Sequence, residues 1–253
     1  MAISRGVCYN GCIIEMMKRG KAMRIIFVRH GEPDYARDCL TDEGRKQAAT
    51  AAERLVGEGI SKIYASPCGR AAETASYTAR ALDLPVETLE YMREITWGGS
   101  DIPVEGHPWT LGDWLIEREN FDFGAESWRE HAYFAGNAAT RCYDAIAEAF
   151  DALLMRHGYV HDGGRFLCQS GTDETVALFS HGGSGGCALS HLLALPLPYV
   201  LSVMPYDFTS IIIVELPARP GECVRPRLEL FNDCRHIRHT AGGPRIQQRP
   251  DGE

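Results

Sequence analysis

Short apolar segments alternate with amphipathic helical patterns along this chain, and that alternation restricts the fold more than any other feature. Residues 24–28 (RIIFV) read as a buried strand. Thr41 to Leu55 follows as a helix, with Thr41 as N-cap and Glu43-Gly44 in the first turn. The order repeats with SKIYAS (61–66) as a strand, Arg70 to Leu82 as a helix and PVETL (85–89) as a short third strand. TVALFSH (175–181) is a further strand, followed by a glycine-rich turn into a helix through Cys187 to Leu195. TSIIIVEL (209–216) and RPRLELF (225–231) read as a closing strand pair joined by PARPGEC. Such alternation predicts an α/β fold with a mainly parallel sheet sandwiched by helices. Active sites of such sheets lie outside the carboxyl ends of the strands.

One domain is expected over residues 23–253, preceded by an extension, 1–22, without clear periodicity. From about 99 to 172 the pattern changes, with Trp109, Trp114 and Trp128, a long helical pattern from Ser127 to His157, and then the turn-rich HDGGRFLCQSGTDE. This stretch reads as a mostly helical cap insertion over the strand ends, able to shape substrate choice.

The 253 residues carry a formal net charge of −8. Nucleic acid and anionic membranes are usually met by basic surfaces, so neither is an expected partner. An anionic substrate would need a local basic pocket. Nine cysteines form no CxxC pair and are odd in number, which fits reduced thiols in a cytoplasm better than a disulfide scaffold. Only Cys8 and Cys12 approach metal-ligand spacing, and no metal site is expected. No apolar run reaches membrane-spanning length. Oligomeric state is left open, a homodimer being one arrangement compatible with the sequence.

Four groups sit where strands run out or helices begin. They are Arg29-His30-Gly31 after the first strand, Arg70 in SPCGRAAETA, Glu94 in MREITWG, and His181 in SHGGS. Arginine forks match phosphate oxygens, and imidazoles donate hydrogen bonds or attack. The turn at Gly182-Gly183 starts a helix whose N-terminal amides favour an anion. Together these describe a phosphoryl pocket. The other histidines, at 107, 131, 157, 161, 191, 236 and 239, read as structural or exposed, with His107 a minor candidate for lining the cap. Ser184 and Cys187 have no expected base beside them.

On these residues the chain resembles the histidine phosphatase superfamily, also called the phosphoglycerate mutase-like fold. Arg29-His30-Gly31 matches its signature. LTDEGRKQA (40–48), SPCGRAAETA (66–75), REITWG and SHGG (180–183) resemble its further motifs in the family's order. The resemblance implies a small phosphorylated substrate, no cofactor, and phosphoryl transfer through a phosphohistidine. It implies His30 as nucleophile and Glu94 as acid and base, with Glu87 and Glu90 as competing acids nearby. Arg29, Arg70, His181 and Gly182 would hold the phosphoryl group. EPDYAR places Ala36 about where mutase-type members carry an asparagine, and GSDIPVEG follows where many members show a tryptophan-glutamate-glycine segment. A phosphomonoesterase is therefore the first expectation. A phosphoglycerate mutase is the second and a non-catalytic phospholigand-binding domain the third.

Overall fold

The computed structural model describes residues 20–98 and 128–237. Cys8, Cys12, His107, Trp109, Trp114, His239, most of the N-terminal extension and residues 99–127 of the expected insertion lie outside the described residues.

Strand β1 (Ala22–Arg29) is followed by two short strands, β2 (Pro33–Asp34) and β3 (Cys39–Leu40), that pair with each other. Helix α1 spans Asp42–Leu55 and begins where Thr41 accepts the Gly44 amide at 3.0 Å. Gly44, Gln47, Ala48, Ala51, Ala52 and Leu55 form its buried stripe, the spacing of a one-sided helix. Then come β4 (Ile60–Ala65), α2 (Gly69–Leu82), β5 (Val86–Thr88), α3 (Ala138–Arg156), β6 (Tyr159–His161) and β7 (Phe166–Cys168). The chain continues through β8 (Thr175–Ser180), α4 (Gly182–Leu193), α5 (Leu197–Val203), β9 (Ile211–Pro217), β10 (Cys223–Val224) and β11 (Arg227–Asp233).

The central sheet has the order β11-β9-β1-β8-β4-β5. β1, β8, β4 and β5 are parallel, while β9 runs antiparallel to both β1 and β11. Both faces are apolar, so each central strand reads as a continuous hydrophobic run. Ile25 and Phe27 of β1, Val176 and Leu178 of β8, and Ile212 and Val214 of β9 join Phe150 and Leu189 in one core. Ile26 and Val28, Ala177 and Phe179, and Ile211 and Ile213 join Leu55 and Ala75 in the other. Phe27 is fully buried against Phe150, their ring centroids 6.1 Å apart. Truncating a core phenylalanine of this kind costs about 3–5 kcal/mol.

Three local expectations need correction. The helix expected from Ser127 to His157 is a 3₁₀ turn at Trp128–Glu130 followed by α3 from Ala138. Gly136 at φ 73° interrupts the pattern, and Asn137 opens the helix by accepting the Ala139 amide at 2.9 Å. Helix α3 packs against the sheet and α4 as part of the scaffold, through Ile146, Phe150, Leu153 and Leu154. The turn-rich stretch after it contains β6 and β7, which with β10 make a small antiparallel sheet. Finally, the glycines after His181 are not a turn: α4 begins at Gly182.

Candidate active site

The three strands at the centre of the parallel sheet end together. Arg29 pairs with Ser180 and Ala65 with Phe179 in the register, so the residues just past β1, β8 and β4 meet at one edge. The His30 amide donates to the Ser180 carbonyl at 3.0 Å and the Ser66 amide to the Phe179 carbonyl at 2.9 Å, extending both ladders by one residue. Arg29, His30, Ser66 and His181 are thereby held on rigid backbone. His30 and His181 are 1% and 0% exposed, which leaves burial without solvent to be compensated by the site itself.

Gly31 permits this packing. A side chain there would meet the carbonyl oxygen of Gly44 at 2.6 Å, so the turn after His30 lies directly on the first turn of α1. The Gly31 amide donates to Thr74 of α2 at 3.1 Å, and the Glu32 amide to Gln47 of α1 at 2.8 Å. Both helices therefore position the same turn.

The geometry sets the tautomer of His30. Its Nδ1 lies 2.7 Å from the Gly31 carbonyl oxygen, which can only accept, so Nδ1 carries the proton. Nε2 is left with its lone pair, and the Nε–H of Arg70 faces it at 3.3 Å. Burial, and then the charge of Arg29 and the neighbouring His181, push the pKa of His30 well below the ordinary imidazole value. The ring stays neutral and nucleophilic into the acid range.

His181 sits edge-on to His30, ring centroids 5.1 Å apart. The Cys68 amide donates to the hydroxyl of Ser66 at 3.2 Å, and that hydroxyl lies 2.8 Å from His181 Nε2. The hydroxyl hydrogen is available to Nε2, and in the tautomer that accepts it the imidazole proton lies on Nδ1. Burial, with Arg70 and Arg29 close by, lowers the His181 pKa to about 3. Its Nδ1 is buried and has no protein partner, and the same holds for Nε of Arg29. Arg29 is fixed otherwise: Nη1 donates to the Tyr206 carbonyl at 2.6 Å and the guanidinium lies 4.5 Å over the Phe208 ring. Two unpartnered buried donors beside an imidazole lone pair make a cradle for an anion with several acceptor oxygens.

Glu94 completes the cluster from above α4. Its Oε1 accepts from the amides of Ile95 at 3.0 Å, Gly183 at 3.0 Å and Ser184 at 3.1 Å. Three donors on Oε1 leave Oε2 as the oxygen able to carry a proton. Burial raises the pKa of Glu94 above the usual carboxylate range, although the Ile95 amide and Arg29 pull the other way. Glycine is required at the second position of α4, because a side chain at Gly183 would meet Ile95 at 2.4 Å and Glu94 Oε1 at 2.5 Å. A glycine-rich helix start, costing about 1 kcal/mol per glycine against alanine, is thus exchanged for contact with the carboxylate. Glu90 is paired with Arg93 at the surface and Glu87 with Arg156, both away from this cluster.

All five of Arg29, His30, Arg70, Glu94 and His181 are brought together. Gly182 lies beside them, where a side chain would stand 3.4 Å from the guanidinium carbon of Arg29. The sequence reading missed Asp38, whose carboxylate binds Arg70 Nη1 at 2.5 Å and the Gly69 amide at 2.7 Å. It also passed over Ser66, Tyr206 and Phe208, whose only signals are a serine within a quoted motif and two aromatics preceding a strand.

The sequence profile of the histidine phosphatase superfamily (branch 1) matches residues 25–228. The chain belongs to that superfamily. The probable phosphoglycerate mutase GpmB of Yersinia enterocolitica is 28% identical over 184 residues, covering 69% of this chain and 76% of that protein. The mitochondrial serine/threonine-protein phosphatase Pgam5 of Drosophila melanogaster is 35% identical over 118 residues, which cover 43% of this chain and only 38% of that protein. Among solved structures, phosphoserine phosphatase from Entamoeba histolytica superposes with a TM-score of 0.58 at 23% identity, over 85% of this chain and 99% of that one. A mycobacterial glucosyl-3-phosphoglycerate phosphatase gives 0.55 at 24% identity, over 83% and 98%. These superpositions establish a shared fold. Members of the superfamily are phosphatases or mutases, which makes an enzyme of this chain. Among the described residues, no helix is long and apolar enough to cross a membrane.

Proposed function

We propose that the protein hydrolyses a small phosphomonoester through a phosphohistidine formed on Nε2 of His30. The observation that carries this reading is the fixed tautomer of His30, with its lone pair on Nε2, unpartnered buried nitrogens of Arg29 and His181 beside it and the Arg70 guanidinium facing it. In the first step Nε2 attacks phosphorus, the bond to the leaving oxygen breaks, and Glu94 Oε2 gives that oxygen its proton. Arg29, Arg70 and His181 Nδ1 hold the equatorial oxygens as charge moves onto them. In the second step the Glu94 carboxylate takes a proton from water, whose oxygen bonds to phosphorus as the bond to Nε2 breaks. Phosphate leaves and His30 is regenerated.

Rapid quenching with a radiolabelled aryl phosphate tests the intermediate. A label on protein that is acid-labile and stable in alkali, and that is absent from His30→Ala along with turnover, is the expected result. Near wild-type turnover in His30→Ala would remove the mechanism. The name of the Yersinia relative favours a second reading, in which the phosphoryl group returns to a phosphoglycerate instead of water. Following the label into substrate or into free phosphate separates the two.

A further inference from the structure

Asp151 in α3, His161 at the end of β6 and His191 in the last turn of α4 converge at a second cluster of titratable side chains. One ligand atom from each lies within 4.8 Å of the others. The two carboxylate oxygens are divided between the imidazoles: His191 Nε2 is 2.7 Å from Oδ1, and His161 Nδ1 is 3.2 Å from Oδ2. The rings stand nearly perpendicular, centroids 4.6 Å apart. The fully buried Phe166 backs the ring of His161 at 5.1 Å, so one side of the cluster is an apolar wall. The other side reaches solvent, since the side chains of Asp151 and His161 are each 28% exposed and that of His191 10%.

We propose that Asp151, His161 and His191 bind one divalent transition-metal ion of the zinc class, with solvent completing the shell. Two imidazoles and a carboxylate are donors that suit such ions and suit magnesium or calcium poorly. Tetrahedral binding at bond lengths of about 2.0–2.1 Å needs donor-to-donor edges of about 3.3–3.4 Å. The three ligand atoms already lie within 4.8 Å of one another, so closing them to such edges needs movements of at most about 1.5 Å, with the carboxylate turning to present one oxygen, since the 2.7 and 3.2 Å contacts are made by its two different oxygens. In the metal-free arrangement the Gly164 amide donates to His161 Nε2 at 3.3 Å, which keeps the ring proton on Nδ1 facing Asp151. Binding through Nδ1 transfers that proton to Nε2 and breaks this long hydrogen bond. The ion would join three elements at the far end of α4, about 15 Å along the helix from His181. Its role is to tie the scaffold; it takes no part in phosphoryl transfer.

Full-length protein stripped with chelator is titrated with cobalt(II), read by its d–d absorption, and with zinc, read by calorimetry. Asp151→Asn and His191→Gln are run alongside, with near-ultraviolet circular dichroism checking their folding. One equivalent bound without thiolate charge-transfer bands, weakened at least about tenfold in each variant, is the expected outcome. No saturable binding, or variants that bind as well as the wild type, would overturn the proposal. Should either variant fail to fold, imidazole NMR of the wild type decides. Zinc must shift His161 and His191, and shifts confined to His30 and His181 would assign the ion to the phosphoryl pocket instead.

Discussion

Asp38 holds Arg70 from behind: one carboxylate oxygen takes Nη1 at 2.5 Å and the other takes the amide of Gly69 at 2.7 Å. The backbone of Asp38 is left-handed, at φ 49°, a conformation aspartate tolerates better than most residues. Burial pushes its carboxyl up, but the Gly69 amide and Arg70 outweigh that and hold it below the usual range. Arg70 is therefore aimed before substrate arrives. Asp38→Ala is expected to lower kcat/KM by roughly tenfold to a hundredfold through misplacement of the guanidinium. Arg70→Ala, which removes the donor itself, is expected to cost on the order of 10²–10³ in kcat. Steady-state kinetics on an aryl phosphate compare the two, and a double variant no worse than Arg70→Ala would show that Asp38 acts through Arg70.

Ser66→Ala removes the hydroxyl that lies against Nε2 of His181. The buried Nε2 loses its partner, at a stability cost of about 1–3 kcal/mol. The proton can then reside on either nitrogen, so kcat is expected to fall more than KM changes. Equal kcat in Ser66→Ala and wild type, with only a lowered unfolding midpoint, would reduce Ser66 to a structural role.

Gly183→Ala forces a methyl group into the space occupied by Ile95 and Glu94 Oε1, which it would meet at 2.4 and 2.5 Å. The carboxylate must move, and proton delivery suffers first. Alkyl phosphates, which need their leaving oxygen protonated, are expected to lose at least about tenfold more activity than a nitrophenyl ester. Equal losses on both substrates would argue against Glu94 as the acid.

The neutral histidines set a pH dependence of stability. His181, at about 3 when folded against 6.5 ordinarily, binds fewer protons folded than unfolded between those values. Stability therefore rises with pH through that window and is lost as pH falls below about 6.5. His30 contributes with the same sign. Each such group accounts for up to about 1.4 kcal/mol per pH unit. Urea unfolding of wild type and His181→Asn between about pH 6 and about pH 4 is expected to show a shallower slope in the variant. Parallel slopes would mean that His181 is protonated in the folded protein.

The central strands were readable to within a residue or two because RIIFV and TVALFS, and the IYA end of SKIYA, are buried on both faces and have no helical alternative of that length. The reacting side chains were readable because they follow those strands directly. Strands β6, β7 and β10 were not, since two or three residues carry no measurable period. Helix α4 was misread at its start because glycine ordinarily signals a turn, and its presence in a helix is explained by the close approach of Glu94 and Ile95 to Gly183, of Tyr206 to Gly185 and of Leu201 to Gly186. Asp38 was invisible for a related reason: its partner is 32 residues away, and nothing in EPDYARD distinguishes it from any surface acid. His161 and His191 likewise lack a shared motif, being joined only by the packing of β6 and α4 against α3.

The placement of β1 bears on how the protein is made. This strand, made before the rest of its sheet, has as its neighbours β8 and β9, which lie between residues 175 and 217. At about 5–20 residues per second, IIFV waits on the order of ten to forty seconds for a partner. For that interval an apolar strand with two open edges is exposed to other nascent chains, and the amide of Thr209 has yet to reach the carbonyls of Arg29 and His30. The strand order thus leaves β1 unpaired until β8 and β9 have been made, and the pocket cannot close before Thr209 is in place.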